Sequence, residues 1–294
     1  MSVLAAPAGA RARAHRLESL RATLRRLPLA FHIATGLLAV HVLVALTGTF
    51  WAPYPSGAVL VGKQFAGPSV HHLFGTDNFG RDIFSRVIDG ERVVLALAFS
   101  SAGAAVLAGG TLGLLMAYVR GWVDEVVMRF VDVIMTVPPL ILSLLILGAV
   151  GASHLVLVAT VAFFFSARVA VVVRAAALDI VSEDFVTAAQ LRGESSLSIA
   201  FRELLPNVVS TVLVEFSLRT GYAVLTIASL SFLGFGSKPP TPDWGLMISE
   251  GRSYIASAPG LVLAPSLVLA SLVIALSLFT EGIDDALGAR ESNA

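Results

Sequence analysis

The chain has 294 residues, of which 56% are apolar and 14% are charged, and its formal net charge is zero. Soluble domains carry roughly 25% charged residues, so this balance and a mean hydropathy of +0.84 indicate an integral membrane protein with short loops. The absence of cysteine excludes disulfides, thiol catalysis and cysteine-ligated metal.

Apolar stretches along the chain predict an all-α, polytopic membrane protein with six transmembrane helices, since each stretch reaches the roughly 20 residues that a bilayer core requires. The predicted spans lie at about 28–50, 93–119, 127–150, 154–178, 208–234 and 258–279. We interpret residues 1–27 as a basic tail that is disordered or lies on the membrane surface. A cleaved signal peptide is the less favoured alternative, because no small-residue cleavage site follows the apolar core.

Two spans contain residues that affect helix packing. The second span is expected to let a neighbouring helix approach closely, because it contains Gly103, Gly109, Gly110 and Gly113. The third span contains Pro138-Pro139, which is expected to kink it and to free backbone carbonyls.

A polar segment between the first and second spans, Leu73 to Arg92, reads LFGTDNFGRDIFSRVIDGER. It predicts a short amphipathic helix that begins near Asp82 and ends near Gly90. Its alternating acids and bases are typical of a solvated face, and the spacing of an EF-hand is absent, so no metal site is predicted. This signature segment resembles the DppC/OppC branch of dipeptide and oligopeptide importer permeases at Gly75, Thr76, Asp77, Gly80, Arg81, Asp82, Ser85, Arg86, Gly90 and Arg92.

The longest polar interruption in the last two thirds of the chain is residues 182–207, SEDFVTAAQLRGESSLSIAFRELLPN. It predicts two short helices around Gly193, the first capped by Ser182 and the second by Ser195 or Ser196. Its apolar positions recur at helical spacing in both helices: Phe185, Val186, Ala188, Ala189 and Leu191, then Leu197, Phe201, Leu204 and Leu205. From this periodicity alone, a helix pair on the bilayer surface and a docking surface for a soluble partner remain equal alternatives.

The same loop resembles the EAA loop of ABC-importer permeases, because Thr187-Ala188-Ala189 is followed by Gly193 and then by Leu205-Pro206. The loop departs from the family at Thr187, where the family has a glutamate. The resemblance implies a coupling helix that contacts a cytosolic ATPase, with the contact residues Glu183, Asp184, Phe185, Thr187, Ala188, Ala189, Arg192, Gly193, Leu205 and Pro206.

Positive charge predicts the orientation, since cytoplasmic loops carry an excess of lysine and arginine. Six spans place both termini on the same side as the 182–207 loop. That side holds twelve basic residues: Arg11, Arg13, Arg16, Arg21, Arg25, Arg26, Arg120, Arg129, Arg174, Arg192, Arg202 and Arg290. The other side holds six: Lys63, Arg81, Arg86, Arg92, Lys238 and Arg252. We therefore expect cytoplasmic N- and C-termini.

The sequence gives little support for a catalytic activity of this chain. Neither lysine follows a glycine and precedes serine or threonine in the way that a P-loop requires, so the chain is not expected to hydrolyse ATP. No catalytic residue, cofactor or metal site is predicted. Ionisable residues inside spans are candidates for a transport pathway, and they are Asp132, Arg168, Glu215 and Arg219. Glu215 and Arg219 are four residues apart, which fits either a structural ion pair or a contact to charged ends of a substrate.

The resemblance to the DppC/OppC branch implies the permease fold of type I ABC importers, in the cytoplasmic membrane of a bacterium. It further implies a homologous DppB/OppB-like permease, ATPase subunits that bind ATP and Mg²⁺, and an extracellular substrate-binding lipoprotein. The expected substrates are dipeptides or oligopeptides, although relatives import nickel and other solutes. A gradient-driven secondary transporter and a membrane scaffold without transport activity are the alternatives.

Overall fold

The structure of the chain is a computed structural model that describes residues 28–291. The predicted tail at residues 1–27 lies outside this part. Within it the fold is helical, and its one isolated antiparallel bridge joins Thr76 to Asp82. The prediction of an all-α protein with several membrane-spanning helices is confirmed.

We label ten helices in the described residues. They are α1 Leu29–Trp51, α2 Ile83–Val119, α3 Gly121–Thr136, α4 Pro139–Val150, α5 His154–Val181, α6 Asp184–Leu191, α7 Ser196–Ile199, α8 Val209–Phe232, α9 Trp244–Gly251 and α10 Gly260–Glu291. α7 continues into a π-helical segment, Ala200–Leu204, and a last short turn, Leu205–Asn207. Five helices are long and apolar enough to cross a membrane, and α3 with α4 makes a sixth if the bent pair counts as one span.

The second span begins ten residues earlier than the sequence predicts. The prediction of a separate amphipathic helix that ends near Gly90 is wrong, because α2 continues through this position. Gly90 instead lies against Trp244, whose ring would be 2.9 Å from an added Cβ. Asp82 caps α2 as expected, accepting a hydrogen bond from the Ser85 amide at 2.8 Å. With 37 residues α2 is about 55 Å long at 1.5 Å per residue. A bilayer core is about 30 Å thick, so α2 extends well beyond it.

The third span is broken rather than curved. α3 and α4 meet at an angle of 87°. The break occurs at Pro138-Pro139, where neither residue has an amide hydrogen to donate and where the residue before each proline avoids the helical conformation. The expected kink is therefore a sharp turn between two separate helices.

α2 and α5 form the most extensive helix pair in the described chain. They approach closely because Gly109 and Gly113 face α5, where an added Cβ would lie 2.2 Å from the Ser166 carbonyl oxygen and 2.6 Å from that of Ala170. Gly110 faces open space, with no atom within 4 Å of an added Cβ. The expectation of a close approach in the second span thus holds at two of its four glycines.

Two apolar clusters form the interior. The larger cluster joins α1, α2, α5, α8, α9 and α10 around residues such as Leu157, Ile227, Leu230, Trp244 and Leu272. The second cluster joins the far ends of α2 and α5 to the 182–207 loop through Leu114, Val173, Val186, Ile199 and Leu204. The loop is therefore part of the folded core and packs on the two most closely paired helices.

Candidate functional site

The signature segment is built around one carboxylate. Asp77 is 1% exposed. Its Oδ1 accepts hydrogen bonds from the amides of Phe79 and Arg81 at 2.8 and 2.9 Å. Its Oδ2 accepts from Arg81 Nε and Arg86 Nη1, both at 2.6 Å. Glu250, at the end of α9, lies 3.6 Å from Arg81 Nη2 and 3.9 Å from Arg86 Nη2. Two guanidinium groups are thus held mainly by a single acid.

The residues next to Asp77 are equally enclosed. Asp82 Oδ1 lies 2.9 Å from His72 Nδ1, and its Oδ2 accepts from the hydroxyl of Ser85 at 2.8 Å. Gly75 has a φ of +81°, and an added Cβ there would lie 2.4 Å from the Ala66 carbonyl oxygen. The prediction that the charges of this segment form a solvated face is wrong, because Asp77, Arg81, Asp82 and Arg86 are each 5% exposed or less. Charges of opposite sign alternate here because they pair with one another inside the fold.

The loop before α9 holds this segment from the other side. Asp243 caps α9 by accepting from the amides of Gly245 and Leu246 at 3.0 and 3.3 Å. Trp244, which is fully buried, donates its indole N–H to the carbonyl of Val87 in α2 at 2.9 Å. The signature segment and the α8–α9 connection therefore pack together at one end of the molecule, which we call the signature end.

At the opposite end, the 182–207 loop turns at Gly193. This residue has a φ of +76°, and no atom lies within 4 Å of the Cβ that a side chain would add. Its amide donates to the Gln190 carbonyl at 2.9 Å, which closes the end of α6. Ser195 caps α7 as predicted, accepting from the Ser198 amide at 3.3 Å. Ser182 does not cap α6, because it follows the last turn of α5 and its hydroxyl donates to the Asp179 carbonyl at 3.4 Å.

The loop has one buried and one exposed face. The apolar positions predicted at helical spacing do not all face the core. Only Val186 and Ala189 of α6 and Ile199, Ala200 and Leu204 of the following segment do so. Other apolar side chains point outward, with exposed fractions of 38% at Phe185, 85% at Leu191, 57% at Leu197 and 43% at Phe201. Of the predicted contact residues, Ala189 belongs to the core, Leu205 is half-buried, and the exposed ones are Glu183, Asp184, Phe185, Thr187, Ala188, Arg192, Gly193 and Pro206.

Charged side chains border the exposed face. Arg192 donates to Glu194 Oε1 from Nη2 at 2.7 Å and lies 3.5 Å from Glu203 Oε1. The hydrogen bond from Arg192, followed by one from the Ser198 hydroxyl, lowers the pKa of Glu194 from its ordinary value. The turn that carries Gly193 is therefore held by an ionised network at neutral pH.

Between the two ends, α4, α5 and α8 enclose a groove of about 490 Å³. We call it the central groove, and it is lined by Pro139, Leu140, Phe165, Arg168, Leu218, Arg219, Tyr222 and Thr226. Arg219 is 8% exposed and donates from Nε to Glu215 Oε2 at 2.9 Å. Its Nη2 lies 2.7 Å from the same oxygen. Arg168 is exposed to the groove.

The profile of the family described as "binding-protein-dependent transport system inner membrane component" matches residues 109–293. The chain belongs to this family. It is 38% identical over 261 residues to the glutathione transport system permease protein GsiD of Pectobacterium atrosepticum, covering 87% of this chain and 86% of that protein. It is 36% identical over 228 residues to the dipeptide transport system permease protein DppC of Alkalihalophilus pseudofirmus, covering 76% and 74%.

A putative peptide transport system permease of Brucella suis is 35% identical over 260 residues, with 88% of each chain covered. These relatives confirm the resemblance to ABC-importer permeases of the DppC type. The chain is thus a multi-pass permease of the inner membrane and a transport component rather than an enzyme. Its relatives belong to systems that work with a binding protein.

The structure brings three of the four ionisable pathway candidates of this permease together. Arg168 and Arg219 line the central groove, and Glu215 holds Arg219 from the same helix. Asp132 does not line it. Its side chain is 58% exposed on α3, and its carboxylate lies 3.9 Å from Arg129 Nη1.

The sequence analysis did not predict two side-chain pairs that join distant parts of the permease. Arg174 forms a bidentate contact to the carboxylate of Asp124, with its Nε 2.6 Å from Oδ1. His41 Nδ1 contacts Glu91, and its Nε2 lies 3.1 Å from the Ser271 hydroxyl. These contacts join α3 to α5, and α1 to α2 and α10. In both pairs the partners are 50 residues apart, so a local sequence pattern cannot predict the contact.

Proposed function

We propose that this permease is one of two homologous halves of an ATP-driven peptide importer. Its partners are a second permease of the DppB/OppB type, ATPase subunits that bind ATP and Mg²⁺, and an extracellular substrate-binding lipoprotein. The peptide cargo is proposed from the relatives, whose names specify glutathione, dipeptide and peptide transport. In this arrangement the chain itself binds no cofactor, and the energy for transport comes from the ATPase subunits.

The two faces of the 182–207 loop carry the proposal. Val186 and Ala189 fix the loop to the ends of α2 and α5, so the loop does not lie loosely on a bilayer surface. Phe185 and Leu191 face outward beside the charged turn at Arg192. An apolar patch rimmed by polar groups is typical of a protein–protein contact. This combination favours the docking surface over the interfacial helix pair.

The connections of the loop suggest how docking would act on the transport pathway. α5 leads directly into the loop and α8 follows directly after it. The same two helices supply most of the lining of the central groove, including Arg168 and Arg219. If an ATPase displaces the loop as a rigid unit, it moves two walls of the groove. Two such permeases facing one another would then alternate between inward and outward access.

The orientation follows from the charge distribution. We place the 182–207 loop and both termini in the cytoplasm and the signature end outside, because twelve of the arginines and lysines lie on the first side and six on the second. An ATPase in the cytoplasm then reaches the loop, and a binding protein outside reaches the signature end. A gradient-driven transporter or a scaffold would have no need for the first of these contacts.

The proposal is tested in proteoliposomes that contain the assembled transporter, with the binding protein outside and ATP enclosed. We expect uptake of a labelled dipeptide to require ATP and to persist with a protonophore. Leu191→Glu should abolish co-purification of the ATPase, because it places a charge in the exposed apolar patch. Val59→Glu, at an exposed position near the signature end, is the control and should leave co-purification unchanged. Uptake that needs an ion gradient but no ATP would refute the proposal.

A further inference from the structure

We infer that Arg168 in the central groove binds the terminal carboxylate of a peptide as it passes through the membrane. The inference rests on the proposed transport function and adds a specific contact to it. Its basis is the positive charge of Arg168, which has no acidic partner in the described part of the chain. Among the residues that the structure describes, no carboxylate lies within 4.0 Å of the Arg168 guanidinium, whereas Arg174 and Arg219 each hold an acid.

The position of Arg168 makes that charge unusual. It follows the start of α5 by 14 residues and precedes its end by 13, so it lies about 20 Å from either end at 1.5 Å per residue. A guanidinium near the middle of a bilayer is unfavourable without water or a counter-charge. Lipid phosphates stay at the membrane surface, which leaves them distant from this depth. The groove into which Arg168 is exposed is therefore the place where a counter-charge would enter.

The rest of the groove suits the end of a peptide. Glu215 neutralises Arg219, whose guanidinium also lies 5.7 Å from the centre of the Tyr222 ring. One net positive charge remains, on Arg168. The first residues of α4, Pro139 and Leu140, also line the groove. They bring the positive end of that helix to the groove, which likewise favours an anion.

The size and polarity of the groove fit the same ligand. Its volume of about 490 Å³ falls within the roughly 300–1,000 Å³ of small-molecule sites. Phe165, Leu218 and Tyr222 offer apolar surface for side chains of varied shape. A site that holds only the carboxylate by charge would accept many peptide sequences, because every unmodified peptide ends in this group. A planar guanidinium matches a carboxylate through two parallel hydrogen bonds.

The test uses the assembled transporter and the shortest peptide that the wild-type complex accumulates, as the free acid and as the C-terminal amide. Binding of both forms to the binding protein is measured first, so that uptake is compared at equal occupancy. Arg168→Gln should lower uptake of the free acid about tenfold or more, the effect of one charge-assisted hydrogen bond, and change that of the amide less than twofold. Arg129→Gln, exposed on α3 outside the groove, should alter neither.

A second measurement avoids any effect on folding. The chain has no cysteine, so Arg168→Cys gives this subunit a single thiol that can be modified after assembly. A cationic methanethiosulfonate reagent should restore uptake of the free acid, whereas anionic and neutral reagents of similar size should not. The wild-type complex treated in the same way corrects for thiols in the partner subunits.

The possible outcomes separate this inference from the proposed function. If the wild-type complex shows no ATP-dependent uptake, the proposed function fails. If uptake occurs but Arg168→Gln matches wild type, the inference fails alone. Equal loss for acid and amide without rescue by the cationic reagent would assign Arg168 a structural role, such as pairing with an acid of the second permease. Selective loss together with cationic rescue would support the carboxylate contact.

Discussion

Arg219 and Glu215 lie one turn apart on α8 and form a buried ion pair, with Nε donating to Oε2 at 2.9 Å and Nη2 at 2.7 Å from the same oxygen. The pair forms within one helix, so it does not join two elements of the fold. It sets the charge of the central groove instead, because it neutralises one of the two arginines that line it.

Removing one member of this pair should therefore be worse than removing both. Glu215→Gln or Arg219→Gln leaves a buried charge alone, and we expect each to destabilise the folded protein by about 3–5 kcal/mol. The double variant should lose less than the sum of the two. Folded yield and thermal stability of the purified protein measure this. Additive losses would show that the two residues do not interact, and recovered folding with lost uptake would place the pair in the pathway.

Asp77 should be the most sensitive acid of the signature segment. Asp77→Asn removes the charge that holds both Arg81 and Arg86, so we expect a loss of about 3–5 kcal/mol in stability. Glu250→Gln is the control, since its side chain is 34% exposed and lies farther from the same arginines. It should change stability by about 1 kcal/mol or less. Equal effects of the two substitutions on detergent-solubilised stability would contradict the central role of Asp77.

Two neighbouring glycines of α2 should respond in opposite directions to the same substitution. Gly109→Ala forces a methyl group against the Ser166 carbonyl of α5, and we expect a loss of about 1–3 kcal/mol. Gly110→Ala meets open space and should stabilise the helix by up to about 1 kcal/mol. Thermal unfolding followed by circular dichroism distinguishes them. Similar changes for both variants would mean that α2 and α5 do not pack at Gly109.

A bulky residue at the turn of the 182–207 loop should uncouple transport without unfolding the protein. The Cβ of Gly193→Trp would have no atom within 4 Å, although the positive φ imposes about 1–2 kcal/mol of strain. Gly121→Trp carries the same strain at a φ of +66°, also in open space, and is the matched control. Only Gly193→Trp should abolish stimulation of the ATPase by the loaded binding protein. Normal stimulation in this variant would exclude the turn from coupling.

The proposed orientation in the membrane can be tested at two loops. Reporter fusions that are active only outside the cytoplasm should be inactive when inserted after Gly193 and active when inserted after Gly57. The first position lies in the 182–207 loop, and the second lies in the connection between α1 and α2 near the signature end. Activity at Gly193 would reverse the orientation proposed from the basic residues.

The sequence predicts the elements better than their contacts. Hydropathy locates each span, and local rules place the caps at Asp82 and Ser195 and the turn at Gly193. Periodicity does not separate the two faces of the 182–207 loop, because its exposed face and its core face are both apolar. Charge alternation misleads in the signature segment for a related reason. Alternating charges indicate a solvated surface only where no other element covers the segment. Here Glu250 and Trp244, which are distant in sequence, pack against it.

The hydrogen bond from Trp244 to the Val87 carbonyl spans 157 residues. A ribosome makes Val87 long before Trp244, and α3, α4, α5 and α8 must be synthesised in between. The signature end therefore stays unfinished throughout most of translation, while α2 and α5 are free to pair as soon as both have entered the membrane. The 182–207 loop is synthesised before Trp244, so the end of the molecule that carries this loop can pack before the signature end is complete.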